Sequence, residues 1–188
     1  MDLMENKEIE IRFLEIDKKA LIERLFELGA KDQGDTMLEE VIIYDPEFKW
    51  REERRFVRLR RSNNEVLLSY KENKEQTIDS TIEIEFGISD FNKAQLFFEK
   101  IGLVCFRRQE KRRHTFLLGE VIIDIDTWPR IPTYVELEGP SEASLRKIAS
   151  ELSLDWDKAL TNDARWVIEQ HYKIPVSTMK YFTFDRFE

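Results

Sequence analysis

Glu8-Ile9-Glu10-Ile11-Arg12 sets two carboxylates and a guanidinium at alternate positions, with isoleucine between them. In a strand, alternate side chains share one face, so these three groups meet on a single surface. Carboxylates on same-face neighbours sit about 7 Å apart and repel by roughly 2–3 kcal/mol at an effective dielectric of about 20. A fold that encloses such a pair needs a cation to offset that cost, and a divalent metal is the obvious candidate.

The device recurs along the chain. Glu83-Ile84-Glu85, Asp124-Ile125-Asp126 and Glu136-Leu137-Glu138 repeat the alternating acids, while Arg58-Leu59-Arg60, Lys71, and Lys111 with Arg113 supply bases at the same spacing. Their neighbours are apolar, so each run has a charged face and a greasy face. Half-buried antiparallel sheets commonly turn such a face to water. A solvated face would mix signs along each strand, because opposite charges stabilise as neighbours. Here, apart from Arg12 on the opening strand, whole strands are acidic or basic, which points instead to an enclosed, charged cavity.

Clustered Arg and Lys suit phosphate oxygens, and carboxylates suit Mg²⁺ or Mn²⁺, hard ions that bridge to substrate phosphates. Together they describe a site for a polyphosphate and a metal. Its catalysis would consist of positioning, charge neutralisation and metal activation of an attacking oxygen. No nucleophile stands out: His114 is out of phase with Lys111 and Arg113, and His171 falls in a C-terminal helical stretch. The six glycines are scattered, so neither a P-loop nor a dinucleotide fingerprint is present. Any phosphate must be held by side chains.

The elements that position these groups are legible from periodicity. Residues 7–16 alternate as a strand, Asp17 N-caps a helix over 18–28, and Gly29 ends it. Strands are predicted near 35–45, 55–61 and 65–71, with a loop over 46–54. The unit then restarts: Glu83-Ile84-Glu85 is followed by a helix from Phe91 that closes at Ile101-Gly102, the pattern of an internal duplication. Further strands are predicted over 103–117, 120–126 and 132–138, then helices over 142–152 and 161–171. The aromatic tail KYFTFDRFE reads as an extra strand or a cover for one end.

The 188 residues suffice for one domain with a single core. A net charge of −8 argues against a nucleic-acid partner, since that affinity comes from neutralising phosphates. Cys105 is the one cysteine, which excludes an internal disulfide, fits a reducing compartment and reads as a small core hydrophobe. No run approaches a membrane span and no secretory signal opens the chain, so the expected location is cytoplasmic.

In their order, EIEIR, VRLR, SYK, EIEF, KRR, DIDTWP and YVELEG resemble the CYTH domains, the triphosphate tunnel metalloenzymes. The resemblance implies an α+β fold: a closed eight-stranded antiparallel β-barrel forming a triphosphate tunnel, with helices packed outside. It implies a tunnel domain over 5–174 and a C-terminal extension over 175–188. Carried over by position, Glu8, Glu10, Asp126, Glu136 and Glu138 would bind metal. Arg12, Arg58, Arg60, Lys71, Lys111 and Arg113 would hold the triphosphate, with Glu83 and Glu85 lining the same tunnel. The family signature is Glu-x-Glu-x-Lys, and Arg12 stands in place of that lysine, which removes a group able to transfer a proton.

The resemblance is closest to class IV adenylyl cyclases, which convert ATP to cyclic AMP and pyrophosphate. Thiamine triphosphatase or inorganic triphosphatase activity is the alternative, and a non-catalytic nucleotide- or polyphosphate-binding module a further one. A nucleoside or other triphosphate is the implied partner, and a homodimer is compatible with the pattern.

Overall fold

The structure is a computed structural model that describes residues 6–63, 65–73 and 81–188, with the side chains of 6–8, 73 and 81 left aside. Ten strands form one sheet: β1 (Asn6–Glu8), β2 (Glu10–Phe13), β3 (Lys31–Tyr44), β4 (Arg55–Arg61), β5 (Val66–Asn73), β6 (Thr81–Ile88), β7 (Val104–Leu118), β8 (Val121–Thr127), β9 (Tyr134–Glu138) and β10 (Tyr181–Phe182). The order is β1-β6-β5-β4-β3-β7-β8-β9-β2, with β10 added to β7. All ladders along this path are antiparallel, and β10 alone runs parallel to its neighbour.

The sheet curls into an open half-barrel, a correction to the closed barrel expected from the resemblance. The first extended segment divides at Ile9: Asn6–Glu8 pairs with Thr81–Glu83, and Glu10–Phe13 pairs with Val135–Glu138. Past Glu83 the outer edge of β6 has no strand partner among the described residues, and Ile84 and Phe86 are exposed there. The other edge of β2 is taken by the C-terminal segment, where Arg12 and Leu160 exchange backbone hydrogen bonds of 2.8 and 2.9 Å.

The greasy faces turn outward and are covered by helices. α1 (Lys18–Glu27) and α4 (Glu142–Glu151) pack Leu21, Leu25, Leu145 and Ile148 against Ile11, Phe116, Ile123, Val135 and Leu137. α3 (Phe91–Lys100) lays Phe91, Ala94 and Phe98 over Val41, Ile43, Leu59 and Leu68. With the apolar side covered, the charged side faces the hollow of the curl.

The repeated strand–helix unit is present twice. Asp17 accepts backbone hydrogen bonds from Lys19 and Ala20 at the start of α1, and Asp90 accepts from Lys93 at the start of α3. Each helix stops before a glycine of positive φ, Gly29 at 74° and Gly102 at 91°, a conformation that glycine reaches without a side-chain clash.

Two expectations change in detail. The loop over 46–54 contains a short helical turn, α2 (Lys49–Glu52), entered through Phe48 at φ 59°. The helix expected over 161–171 begins at α5 (Ala164–Trp166) and continues as a π-type turn over Val167–His171. This segment, with Val176, Met179 and Phe182, packs on Trp128 and Tyr134 and covers one end of the hollow. No described helix is long and apolar enough to cross a membrane.

Candidate active site

A cavity of about 640 Å³ fills the hollow. Glu10, Arg12, Arg58, Arg60, Lys71, Glu83, Glu85, Lys111, Arg113, Glu136 and Glu138 all line it. The side chain of Glu8 lies outside the described residues, although its backbone pairs with Thr81. Asp126 is placed differently. It is fully buried behind the lining, and both its oxygens are taken, by Lys111 at 2.7 Å and by Arg113 through two contacts of 2.7 Å. The adjacent inward position, Asp124, reaches the cavity instead.

Strand register explains why the charges are segregated by strand. Directly opposed inward positions pair acid with base: Glu40 faces Arg60, Lys71 faces Glu83, Arg113 faces Asp126 and Arg12 faces Glu136. The contacts follow, with Arg60 to Glu40 at 2.8 Å, Lys71 to Glu83 at 3.0 Å and Arg12 to Glu136 at 2.6 Å. Arg58 reaches over β5 to Glu83 at 3.0 Å. Outside β2, where Glu10 and Arg12 share the inward face, like charge along a strand becomes alternating charge across most of the sheet.

Two opposed pairs break this rule, and both involve β9. Glu138 faces Glu10, and Glu136 faces Asp124. Burial, then Glu136 and Glu10, push the Glu138 carboxyl up to about 7. Asp124 is also raised, by burial and by Asp126 and Glu136, against the pull of Arg113. Glu136 is instead held well below the usual carboxylate range: burial opposes this, and Arg12, Arg113 and Lys111 outweigh it. This quarter of the cavity is an acid pole with more negative charge than the neighbouring guanidiniums neutralise.

The wall formed by β4 and β7 has the opposite character. Burial and then Arg58 lower the pKa of Arg60, and burial and then Arg113 lower that of Lys111. Cations there are crowded by other cations, an environment that an anion would relieve. Arg113 bridges the two poles, contacting Asp124, Asp126 and Glu136.

The donor set therefore suits a hard divalent cation at the acid pole: carboxylates only, with one carboxyl driven toward protonation by burial and by its neighbouring acids. Among the described residues, no three acids already stand in ligand-like proximity, because Arg12 and Arg113 reach between them.

Several lining residues were not singled out from sequence. Glu40, Gln109 and Arg107 share the inward phase of β3 and β7, and counting back by twos from Lys111 reaches both Gln109 and Arg107. Glu40 is nearly inaccessible and accepts from Gln109 at 2.6 Å as well as from Arg60. Burial would raise its pKa, but Arg60, Arg58 and Lys111 hold it well down. Asp163, Ala164, Arg165, Ile168 and Val176 come from the C-terminal segment, and nothing in their local pattern marks them.

His114 points outward, as its phase predicts, and contacts Asp32 at 2.8 Å. Trp50 lies under the Arg55 guanidinium at 5.3 Å. Trp128 lines the cavity beneath Lys111 and donates to the Tyr134 hydroxyl at 2.8 Å.

A curled antiparallel sheet enclosing an acid pole and a basic wall defines a class of charged-cavity α+β proteins. The CYTH domain family matches residues 6–163, and the chain belongs to that family. A Methanocaldococcus jannaschii protein named "Putative adenylate cyclase" is 27% identical over 132 residues, spanning 70% of this chain and 75% of that one. A Vibrio parahaemolyticus structure described as a "putative adenylate cyclase" superposes with a TM-score of 0.73 at 14% identity, covering 88% of this chain and 99% of its own. A Hippeastrum protein whose description reports a dominant triphosphatase activity superposes at 0.61 and 10% identity, covering 88% and 95%.

Proposed function

We propose that the chain is a divalent-metal-dependent enzyme acting on triphosphates, most readily ATP to cyclic AMP and pyrophosphate. The observation that carries this is the division of one cavity into an acid pole around Glu138 and a cation-crowded wall of Arg58, Arg60, Lys111 and Arg113. A metal–triphosphate complex presents both complementary charges to such a cavity. The name of the M. jannaschii relative supports the cyclase reading.

Mg²⁺ or Mn²⁺ would be held by Glu10, Glu136 and Glu138, together with Asp124 in the place that the family resemblance gave to Asp126. Glu8 belongs to the proposed set by its position in the sequence. When bound, the metal supplies Lewis-acid polarisation of a phosphoryl oxygen and neutralises developing charge. Arg58, Arg60, Lys71, Lys111 and Arg113 orient the phosphates, while Glu83 and Glu85 hold Arg58 and Lys71 in place. Arg12 does not exchange protons: burial lowers its pKa, but Glu10 and Glu136 raise it further, to a net value well above the ordinary one.

Triphosphate hydrolysis, of thiamine triphosphate or inorganic tripolyphosphate, is the second reading, favoured by the likeness to the Hippeastrum protein. The same cavity serves either outcome, because the reactions differ in which oxygen attacks which phosphorus. We assign the tunnel domain to residues 5–174 and an extension to 175–188, and we place the protein in the cytoplasm. The deciding experiment incubates ATP, thiamine triphosphate and tripolyphosphate separately with Mg²⁺ or Mn²⁺ and resolves the products by chromatography. Cyclic AMP with pyrophosphate establishes a cyclase, and phosphate release establishes a triphosphatase. Binding without turnover leaves a sensor and overturns the enzyme.

A further inference from the structure

Arg107 is a buried cation that no carboxylate contacts among the described residues. Its side chain is inside the cavity wall on β7, and its guanidinium donates to the Gln109 side-chain oxygen at 2.8 Å and to the Val176 carbonyl at 2.9 Å, both neutral acceptors. The nearest acids are engaged elsewhere: Glu40 by Arg60 and Gln109, and Glu169 by the Ser177 backbone N–H at 2.6 Å. Burial lowers the Arg107 pKa and Arg165 adds to the lowering, against the upward pull of Tyr44, Glu169 and Glu40. A buried charge with no carboxylate in direct contact is costly, and native structures pair such groups.

Two more guanidiniums stand at the same end. Arg54 and Arg165 line the main cavity and also a smaller one of about 250 Å³, so they mark the neck where the two adjoin. Neither side chain makes a hydrogen bond or ion pair among the described residues. Asp163 shares the neck, but its carboxylate accepts from the Trp166 backbone N–H at 2.7 Å and caps that turn. Arg51, also lining the smaller cavity, is turned to the Ser177 carbonyl at 3.3 Å. Arg107 lies six residues from Arg113 along β7, about 20 Å at the rise of a strand. The neck is therefore a separate place from the acid pole and the Arg113 bridge.

We infer that Arg107, Arg165 and Arg54 form a second anion subsite at this neck, which takes a phosphoanion such as pyrophosphate or inorganic phosphate. Of the proposed function it borrows only the identity of the anion. A phosphoanion supplies acceptors that guanidiniums engage in bidentate fashion, and it offsets the buried charge. The subsite opens to the smaller cavity, giving a released anion a path away from the acid pole.

The test is calorimetric titration of the full chain with pyrophosphate in chelator, without turnover. Wild type is expected to bind two equivalents. Arg165→Gln, which alters a partly exposed side chain, is expected to weaken one of them at least tenfold and leave the other unchanged. Arg54→Gln should do the same, and inorganic phosphate should compete at the site these variants weaken. One equivalent that both variants leave intact overturns the subsite and spares the proposed function. One equivalent that both variants weaken upholds the subsite and removes the main cavity as a phosphate site. No binding at all overturns both.

Discussion

Glu10 and Glu138 stand directly opposite each other across the β2–β9 ladder, two carboxylates facing each other on an inner face whose other charged pairs, one excepted, set acid against base. Two residues along β9, Glu136 faces Asp124 in the same way. Like charges directly opposed are destabilising. The fold concentrates that cost in one quarter of the cavity, which is where a divalent cation would relieve it.

The pH dependence of stability should report this. Folded Glu138 keeps its proton up to about pH 7, whereas an unfolded glutamic acid loses it near ~4.3. Between those values the folded chain binds more protons than the unfolded one, so stability falls as pH rises through the window. Glu40 and Glu136 act oppositely: their depressed values stabilise the fold above the ordinary carboxylate range, and that contribution is lost in strong acid. In chelator, the thermal midpoint should peak in weakly acidic solution. Glu138→Gln should flatten the decline toward pH 8, gaining on the order of 2 kcal/mol there, or several degrees. A variant with the wild-type profile would contradict the assignment.

Metal should act on the same group. At pH 8, millimolar Mg²⁺ or Mn²⁺ is expected to raise the wild-type midpoint by mass action and Glu138→Gln much less. ATP turnover should stop in excess chelator. Full activity there would remove the metal from the proposal.

Glu10→Gln and Arg113→Ala should fail differently. Losing a metal carboxylate should lower turnover mainly, with partial recovery at higher Mn²⁺. Arg113→Ala should raise the substrate dissociation constant at least tenfold, from loss of a charge-assisted contact of about 1.5–3 kcal/mol. It should also destabilise the fold by about 3–5 kcal/mol, because Asp126 is fully buried and would keep only Lys111 as its cation. Denaturant titration alongside binding separates the two effects.

Arg12→Lys tests what the departure from the family lysine does. Arg12 donates to the Asn162 carbonyl at 2.7 Å while contacting Glu10 at 2.9 Å and Glu136 at 2.6 Å. An ammonium is a point charge and cannot span all three as the planar guanidinium does. The substitution should loosen the C-terminal segment, seen as faster amide exchange around 160–166, at a cost of about 1–2 kcal/mol. Unchanged exchange would show that the segment is held without Arg12.

The sequence alone determined which side chains face the hollow and which face the helices. Period-two alternation in EIEIR, VRLR, EIEF and YVELE is a local property of extended backbone, so it survives any arrangement of the strands. The helix limits were legible from local residues too, through Asp17 as a cap and Gly29 and Gly102 as stops. Tertiary structure decided which charges meet. Register set Arg60 on Glu40 and Arg113 on Asp126, but it also set Glu10 against Glu138, and no local pattern encodes a partner more than a hundred residues away. It exchanged Asp126 for Asp124 at the cavity surface, because two cations from β7 enclose the former. The division of the first strand at Ile9, and the folding back of residues 160–176 over one end, depend on contacts between distant segments. They left the curl an open half-barrel and placed Arg165 in the lining of the cavity that Arg107 also lines, outcomes that packing alone could decide.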